Sequence, residues 1–414
     1  MQFLGLLLLL TFSSNSFAQS TTLSGISSGG FMASQMATIY SDRINGVATV
    51  AGGVYYCAKN HFREKLKEYG DSAFLKFGIS TPAVMSVLDP FKVGQTTAEE
   101  LMEPLEMNPL YQALVVCMAH PERTHETKTG PGMDLSFINK LEVHGLIAPT
   151  ANIAKQRVLI FQGKNDETVR PAMAEKLQEF YTRLGVSSAS LKVVMGEGNH
   201  NFPTDGEFGV DCSQAAVPYI ARCKMDLAGQ ILQHTLGRPL KRTPANPAHL
   251  VRITQVEAPF SVAPYGYLYA SEFCLRHPGR CDLHVALHGC KMDDDFDENF
   301  QHLYESKVRM TRILNVNEFE MKARHPRMGA LAFAQNAGYV EYAESPENRL
   351  MVYFPQTRIS TNNYPGNPNG CWDWYGWTSS AYATNTGLET SWLMAQIQRV
   401  KKNPAALIEK TSAP

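Results

Sequence analysis

The pentapeptide Gly25-Ile26-Ser27-Ser28-Gly29 has the G-x-S-x-G pattern. In that pattern a tight turn between a strand and a helix lifts a serine hydroxyl clear of the backbone, and the glycines remove side chains that would clash there. A hydroxyl is a weak nucleophile until a base takes its proton, and the base needs an acid to orient it. The chain carries both in the order Ser, Asp, His: Asp166 within Gly163-Lys164-Asn165-Asp166-Glu167-Thr168-Val169, and His200 closing Gly196-Glu197-Gly198-Asn199-His200. Ser27, Asp166 and His200 are therefore the candidate catalytic residues, and the chemistry they suit is acyl transfer through a covalent intermediate. Each alone has an ordinary explanation: a Gly/Ser turn, an Asp turn-former or helix cap, a surface-loop histidine. Three in the right order, each at the end of a strand, carry the reading.

The elements that must hold these residues are legible from periodicity. Thr21-Thr22-Leu23-Ser24 reads as a short strand before Ser27, and a helix with Met32, Met36, Ile39 and Tyr40 on one face follows it. Ile44 to Ala51 reads as the next strand. Val158 to Phe161 predicts another, then a helix bearing Met173, Leu177, Phe180 and Leu184 and capped by Gly185, then a strand from Leu191 to Met195. Asp166 and His200 each follow one of these strands, at the carboxyl ends where open α/β sheets place their sites. Strands alternating with helices imply a parallel sheet.

A Pro-rich, basic stretch over 238–248 reads as a linker. Behind it a second series of strands is expected at Leu250 to Val256, Leu283 to Leu287 and Leu350 to Phe354, with a final helix carrying Leu393, Ile397 and Val400. That half has no nucleophile turn of its own. It does hold Leu287-His288-Gly289-Cys290 directly after an alternating strand. An acyl-transfer site needs two donors for its oxyanion, usually the amide after the nucleophile and one from a loop that precedes it in the chain. Ser28 supplies the first amide and the HG loop Leu287-His288-Gly289-Cys290 is the natural source of the second, but that loop comes about 260 residues after Ser27. The expected fold is thus α/β, an α/β-hydrolase fold that is circularly permuted, with the 238–248 linker joining what would otherwise be the two chain ends.

Composition bounds the alternatives. The 414 residues are 44% hydrophobic and 19% charged, ordinary for a packed enzyme. A formal net charge of -1 offers no basic footprint for nucleic acid or anionic membranes. Leu4 to Phe12 is a short apolar run, and Ser16-Phe17-Ala18 offers the small residues of a signal cleavage site, so a leader over 1–18 is expected, leaving 19–414 as a single catalytic domain. No later stretch approaches the roughly 18 apolar residues of a membrane span. Residues 58–110 are irregular and read as an insertion over the core. Eight cysteines without a CxxC pair point to disulfides in an oxidising compartment, secreted or periplasmic, and away from zinc. Cys212 with Cys223, and Cys274 with Cys281, are spaced as local staples.

With those residues in place, GISSGGFMASQMA, VATVAGGVYYCA, the LHGC loop and NPNGCWDWYGW together resemble the fungal-type, circularly permuted poly(3-hydroxybutyrate) depolymerases. The resemblance spans the chain beyond its leader except 58 to about 110. It implies Ser27, Asp166 and His200 as the triad, the Ser28 and Cys290 amides as the oxyanion hole, and hydrolysis of a short-side-chain polyester without a cofactor. The longer insertion after Cys57 departs from the family pattern and bears on polymer access.

Gly370 to Trp377 packs three tryptophans into a short loop, and Trp372 and Trp374 are the expected substrate-binding residues, since exposed aromatics can grip an apolar polyester. A disulfide from Cys290 to Cys371 would anchor that loop beside the oxyanion hole. The acidic run Met292 to Glu298 resembles a calcium loop, but Glu298 stands where glycine is required and Tyr304 where the bidentate acid belongs, so no metal is expected. Two other readings remain open at this stage. One is a small-ester or plant-polysaccharide esterase, if the insertion closes the pocket. The other is a non-catalytic exported protein that adsorbs to polymer through the tryptophan loop.

Overall fold

The computed structural model describes residues 19–58, 112–121, 135–294, 329–360 and 367–409. The expected leader over 1–18, nearly all of the 58–110 insertion and the acidic run beyond Asp294 lie outside the described residues.

Apolar runs with a period of two form the sheet. In β1 (Thr21–Ile26) and β3 (Arg157–Gly163) successive residues face opposite sides: Leu23, Val158 and Ile160 join one core, and Ile26, Leu159 and Phe161 the other. The same two-sided burial holds for β2 (Gly46–Val50), β10 (Asp282–Leu287) and β11 (Leu350–Phe354). Strands buried on both faces belong inside a sheet with helices above and below. On one side lie helix α1 (Ser28–Ile39), α2 (Ala172–Arg183) and α4 (Leu388–Lys402), through Met32, Met36, Leu177, Phe180, Leu393 and Ile397. On the other lies α3 (Leu227–Leu236), through Leu227, Ile231 and Leu232.

The eight strands run in the order β4-β3-β2-β1-β10-β11-β9-β8, where β4 is Leu191–Gly196, β8 Leu250–Thr254 and β9 Tyr265–Tyr269. Pairing is parallel from β4 across to β11 and antiparallel for β11 with β9 and β9 with β8. The chain therefore enters at the centre, builds outward to one edge, crosses to the opposite edge with β8 and β9, returns to pair β10 with β1, and last lays β11 between β10 and β9. This is the α/β-hydrolase sheet in permuted order.

The 238–248 segment makes that crossing, and it is tied down. Arg238 reaches Asp282 at 2.9 Å and the Asn348 carbonyl at 2.6 Å, while the Lys241 amide donates to Asn348 Oδ1 at 3.0 Å. Helix α3 was absent from the periodicity reading, and so were two β features. One is β9, whose Tyr-Gly-Tyr-Leu-Tyr run lacks the aliphatic signature. The other is a small sheet, ordered β5-β7-β6 and made of Phe202–Thr204, Ile220–Arg222 and Val210–Asp211.

Candidate active site

Ser27 sits between β1 and α1 with φ 55° and ψ -122°, in the region that L-residues avoid. A non-glycine residue held there costs about 1–3 kcal/mol, which the surroundings must offset. They do so by close packing. A Cβ on Gly25 would come within 2.1 Å of the Gly29 carbonyl oxygen, and one on Gly29 within 2.4 Å of the His288 carbonyl oxygen. The glycines of the pentapeptide are therefore steric requirements of the elbow.

The structure brings Asp166 and His200 to it. His200 Nε2 lies 3.0 Å from Ser27 Oγ, and His200 Nδ1 lies 2.8 Å from Asp166 Oδ2. A carboxylate only accepts, so Nδ1 carries the proton and the Nε2 lone pair faces the serine hydroxyl. Asp166 is buried and its other oxygen accepts from the Thr168 amide at 2.9 Å and the Val169 amide at 2.8 Å. Gln162, on β3, donates to Asp166 Oδ2 at 3.0 Å and to the Val169 carbonyl at 2.8 Å. Nothing in the sequence marked Gln162 except that it is polar in an otherwise apolar strand.

The loops bearing the acid and the base hold one another. A Cβ on Gly163 would sit 2.4 Å from the Gly198 carbonyl oxygen. The His200 loop is further braced by the small sheet: the Asn199 amide donates to the Cys212 carbonyl, Asn201 Nδ2 donates to the carbonyls of Cys212 and Gln214, and Cys212 is bonded to Cys223.

The HG loop arrives from the strand on the other side of β1. A Cβ built on Gly289 would stand 3.2 Å from Ser27 Cβ, so the two candidate oxyanion segments flank the nucleophile. Among the described residues neither the Ser28 amide nor the Cys290 amide is engaged by an acceptor, as two donors awaiting a ligand oxygen would be. The Gly289 amide, by contrast, is turned to Met292 Sδ at 3.3 Å.

All the expected cysteine pairs are bonded, Cys212–Cys223, Cys274–Cys281 and Cys290–Cys371, and Cys57–Cys117 is bonded too. That fourth bond ties Cys57 to the turn Gln112–Ala119. It also sets the turn Gln112–Ala119 at the site, where Leu114 and Met118 join Ser27 and His200 in the walls of a cavity of about 460 Å³.

The two tryptophans part company. Trp374 and Tyr375 line this cavity, with Trp374 stacked on Phe31 at 3.9 Å between ring centres. Trp372 does not reach it. That ring is fully buried and lies against His288, 5.7 Å between centres, so the expectation that it binds substrate is corrected: it is part of the support beneath the loops. The chain bends sharply between them, the Trp374 amide donating to the Trp372 carbonyl at 3.1 Å, and the intervening Asp373 holds the bend by accepting the amides of Gly376, Trp377 and Thr378. Among the described residues no group of side chains is arranged to hold a metal.

No protein-family model matches the chain. Over 389 residues it is 26% identical to a poly(3-hydroxybutyrate) depolymerase of Delftia acidovorans, an alignment covering 92% of this chain. This chain spans about 59% of the length of that relative. It is also 26% identical over 397 residues to a polyhydroxybutyrate depolymerase of Talaromyces funiculosus, covering 92% of this chain and 89% of that one. Two solved structures share the fold. A serine-to-alanine PHB depolymerase complexed with an R3HB trimer superposes with a TM-score of 0.66 at 24% identity, covering 93% of this chain and 96% of the other. The PHB depolymerase of Penicillium funiculosum gives 0.65 with the same identity and coverage.

Proposed function

We propose that this chain is an exported serine esterase that hydrolyses poly(3-hydroxybutyrate) through an acyl-enzyme on Ser27. The observation that carries the chemistry is the continuous hydrogen-bonded relay from Asp166 through His200 to Ser27, set at a strained elbow that opens into an apolar-walled cavity. Similarity to two depolymerases over 92% of the chain supports the substrate class.

Ser27 Oγ attacks the ester carbonyl carbon while His200 Nε2 takes its proton. The carbonyl oxygen, now negative, is received by the amides of Ser28 and Cys290. The tetrahedral centre collapses, the C–O bond to the leaving hydroxyacid unit breaks, and His200 returns the proton to that oxygen. Water then repeats the sequence on the acyl-enzyme, with Asp166 remaining ionised and holding the imidazole throughout.

Export rests on four disulfides among the described residues, a pattern suited to an oxidising compartment, together with the leader read at 1–18. Among the described residues no helix is long and apolar enough to cross a membrane.

A second reading, a small-ester esterase, is favoured by the cavity itself, since about 460 Å³ is the size of an ordinary small-molecule pocket. Wild type and Ser27→Ala should be compared on a p-nitrophenyl butyrate assay and on a turbid suspension of amorphous poly(3-hydroxybutyrate). Clearing of the suspension that is lost in the variant is the expected result. Ester cleavage without clearing would favour the second reading, and equal activity in both proteins would remove Ser27 from the mechanism.

A further inference from the structure

His288 is buried directly behind the HG loop and takes no part in the relay. Its Nδ1 lies 2.8 Å from the Gly289 carbonyl oxygen, and its Nε2 lies 3.3 Å from both the Thr357 amide and Thr357 Oγ1. These partners dictate the tautomer. A carbonyl oxygen only accepts, so Nδ1 bears the hydrogen; an amide only donates, so Nε2 offers its lone pair. The Thr357 hydroxyl hydrogen is spent on the Gly370 carbonyl at 2.6 Å, leaving the amide as the partner of Nε2.

The Gly289 carbonyl and the Cys290 N–H belong to one peptide plane. In a trans peptide these two groups point in opposite directions and turn together. Pinning the carbonyl toward His288 therefore fixes the direction of the Cys290 N–H, in a peptide whose first residue, Gly289, packs against Ser27. Were the plane free to rotate, the amide could swing from its place as an oxyanion donor.

We propose that His288 is a positioning residue for the oxyanion hole: through its Nδ1–H bond to the Gly289 carbonyl it sets the orientation of the Cys290 amide. The inference rests on the Ser27 acyl-transfer reading. The chain braces the same plane from further along, with the Cys290–Cys371 disulfide and the Lys291 amide donating to the Asn369 carbonyl at 2.7 Å, and Trp372 backs the imidazole. Burial holds the imidazole pKa down to about 4, so the ring keeps this neutral tautomer at working pH.

Two amide substitutions separate aiming from mere filling. In His288→Asn the side-chain NH₂ can occupy the Nδ1 position and still donate to Gly289, while the link to Thr357 is lost. In His288→Gln the reach to Thr357 is kept and the donor to Gly289 is lost. On p-nitrophenyl butyrate we expect the Asn variant to keep kcat within about threefold of wild type. The Gln variant should fall at least tenfold in kcat with KM within about threefold, because a misaimed oxyanion donor costs up to about 10²–10³-fold in the transition state alone. Near-UV circular dichroism identifies the folded variants, and His288→Leu, which lacks both contacts, should fall at least as far as Gln. Equal loss in Asn and Gln, or a Gln variant more active than Asn, would overturn the proposal. Ser27→Ala in the same assay keeps the two readings apart: if it stays active the acyl-transfer reading fails, whereas an inactive Ser27→Ala beside an unaffected His288→Gln defeats this inference alone.

Discussion

Gly289 lies against Ser27, so near that a Cβ on the glycine would stand 3.2 Å from that of the serine, although one residue follows β1 and the other follows β10. The contact exists because β10 pairs with β1 in parallel register, Leu287 opposite Gly25, which delivers both turns to the same edge of the sheet. Permuting the chain moved the two segments apart in sequence and left their meeting point unchanged.

The Cys290–Cys371 bond anchors that meeting point. Replacing both cysteines by serine should cost about 2–4 kcal/mol, since the bond closes an 81-residue separation, and should lower kcat about tenfold through a looser Cys290 amide. Urea unfolding and steady-state kinetics on a p-nitrophenyl ester check the two halves of this expectation.

Asp166→Asn should lower kcat by about 10⁴-fold and cost about 1–3 kcal/mol of stability, because an NH₂ at the Oδ2 position meets the Gln162 NH₂ that donates there. Two backbone amides hold Oδ1, so the new NH₂ must take the Oδ2 position and face His200. The imidazole then has to present a lone pair at Nδ1, which moves its proton to Nε2 and leaves Ser27 without a base. Single-turnover acylation read alongside thermal melting distinguishes this from simple unfolding.

Trp374→Ala should lower kcat/KM for acyl esters about tenfold, because the ring lines the cavity and is stacked on Phe31. Trp372→Ala should instead lose about 3–5 kcal/mol of stability, the cost of emptying a buried aromatic site. Kinetics and denaturant titration of both variants should sort them in that way, and the reverse pattern would show the two roles to be exchanged.

Stability should also depend on pH through the floor of the tryptophan loop. The Asp373 amide donates to Glu389 Oε2 at 2.7 Å, and both carboxyls are buried. Burial, and then repulsion from Asp373, pushes Glu389 well above the usual carboxylate range; burial lifts Asp373 to about 6. A carboxyl with a higher pKa in the fold than in the unfolded chain contributes stability that is present at low pH and lost as pH rises toward the folded value. The Tm of wild type should therefore decline from about pH 4 upward. Glu389→Gln removes its share of that decline, so its Tm relative to wild type should be higher at pH 8 than at pH 5 by calorimetry.

Much of this was legible in the chain itself. The G-x-S-x-G turn, the loops of Asp166 and His200 and most of the sheet announce themselves because they depend on local rules: period-two burial, glycine where no side chain fits, an acid and a base after strand ends. The order of the HG loop relative to Ser27 even disclosed the permutation. Disulfides seven and eleven residues apart were readable from spacing, and Cys290–Cys371, 81 apart, from the two motif loops that carry its cysteines; Cys57–Cys117, sixty apart, had neither signal.

What the linear order determined, then, is the set of candidate reacting groups and the elements that carry them. Tertiary structure decided everything that turns on which side of a loop faces which neighbour: that Trp374 lines the cavity while Trp372 supports it, that Gln162 braces Asp166, and that His288 backs the Gly289 carbonyl. Those outcomes depend on contacts between residues up to hundreds of positions apart, set by strand register and layer packing, and no periodicity within a single segment encodes them.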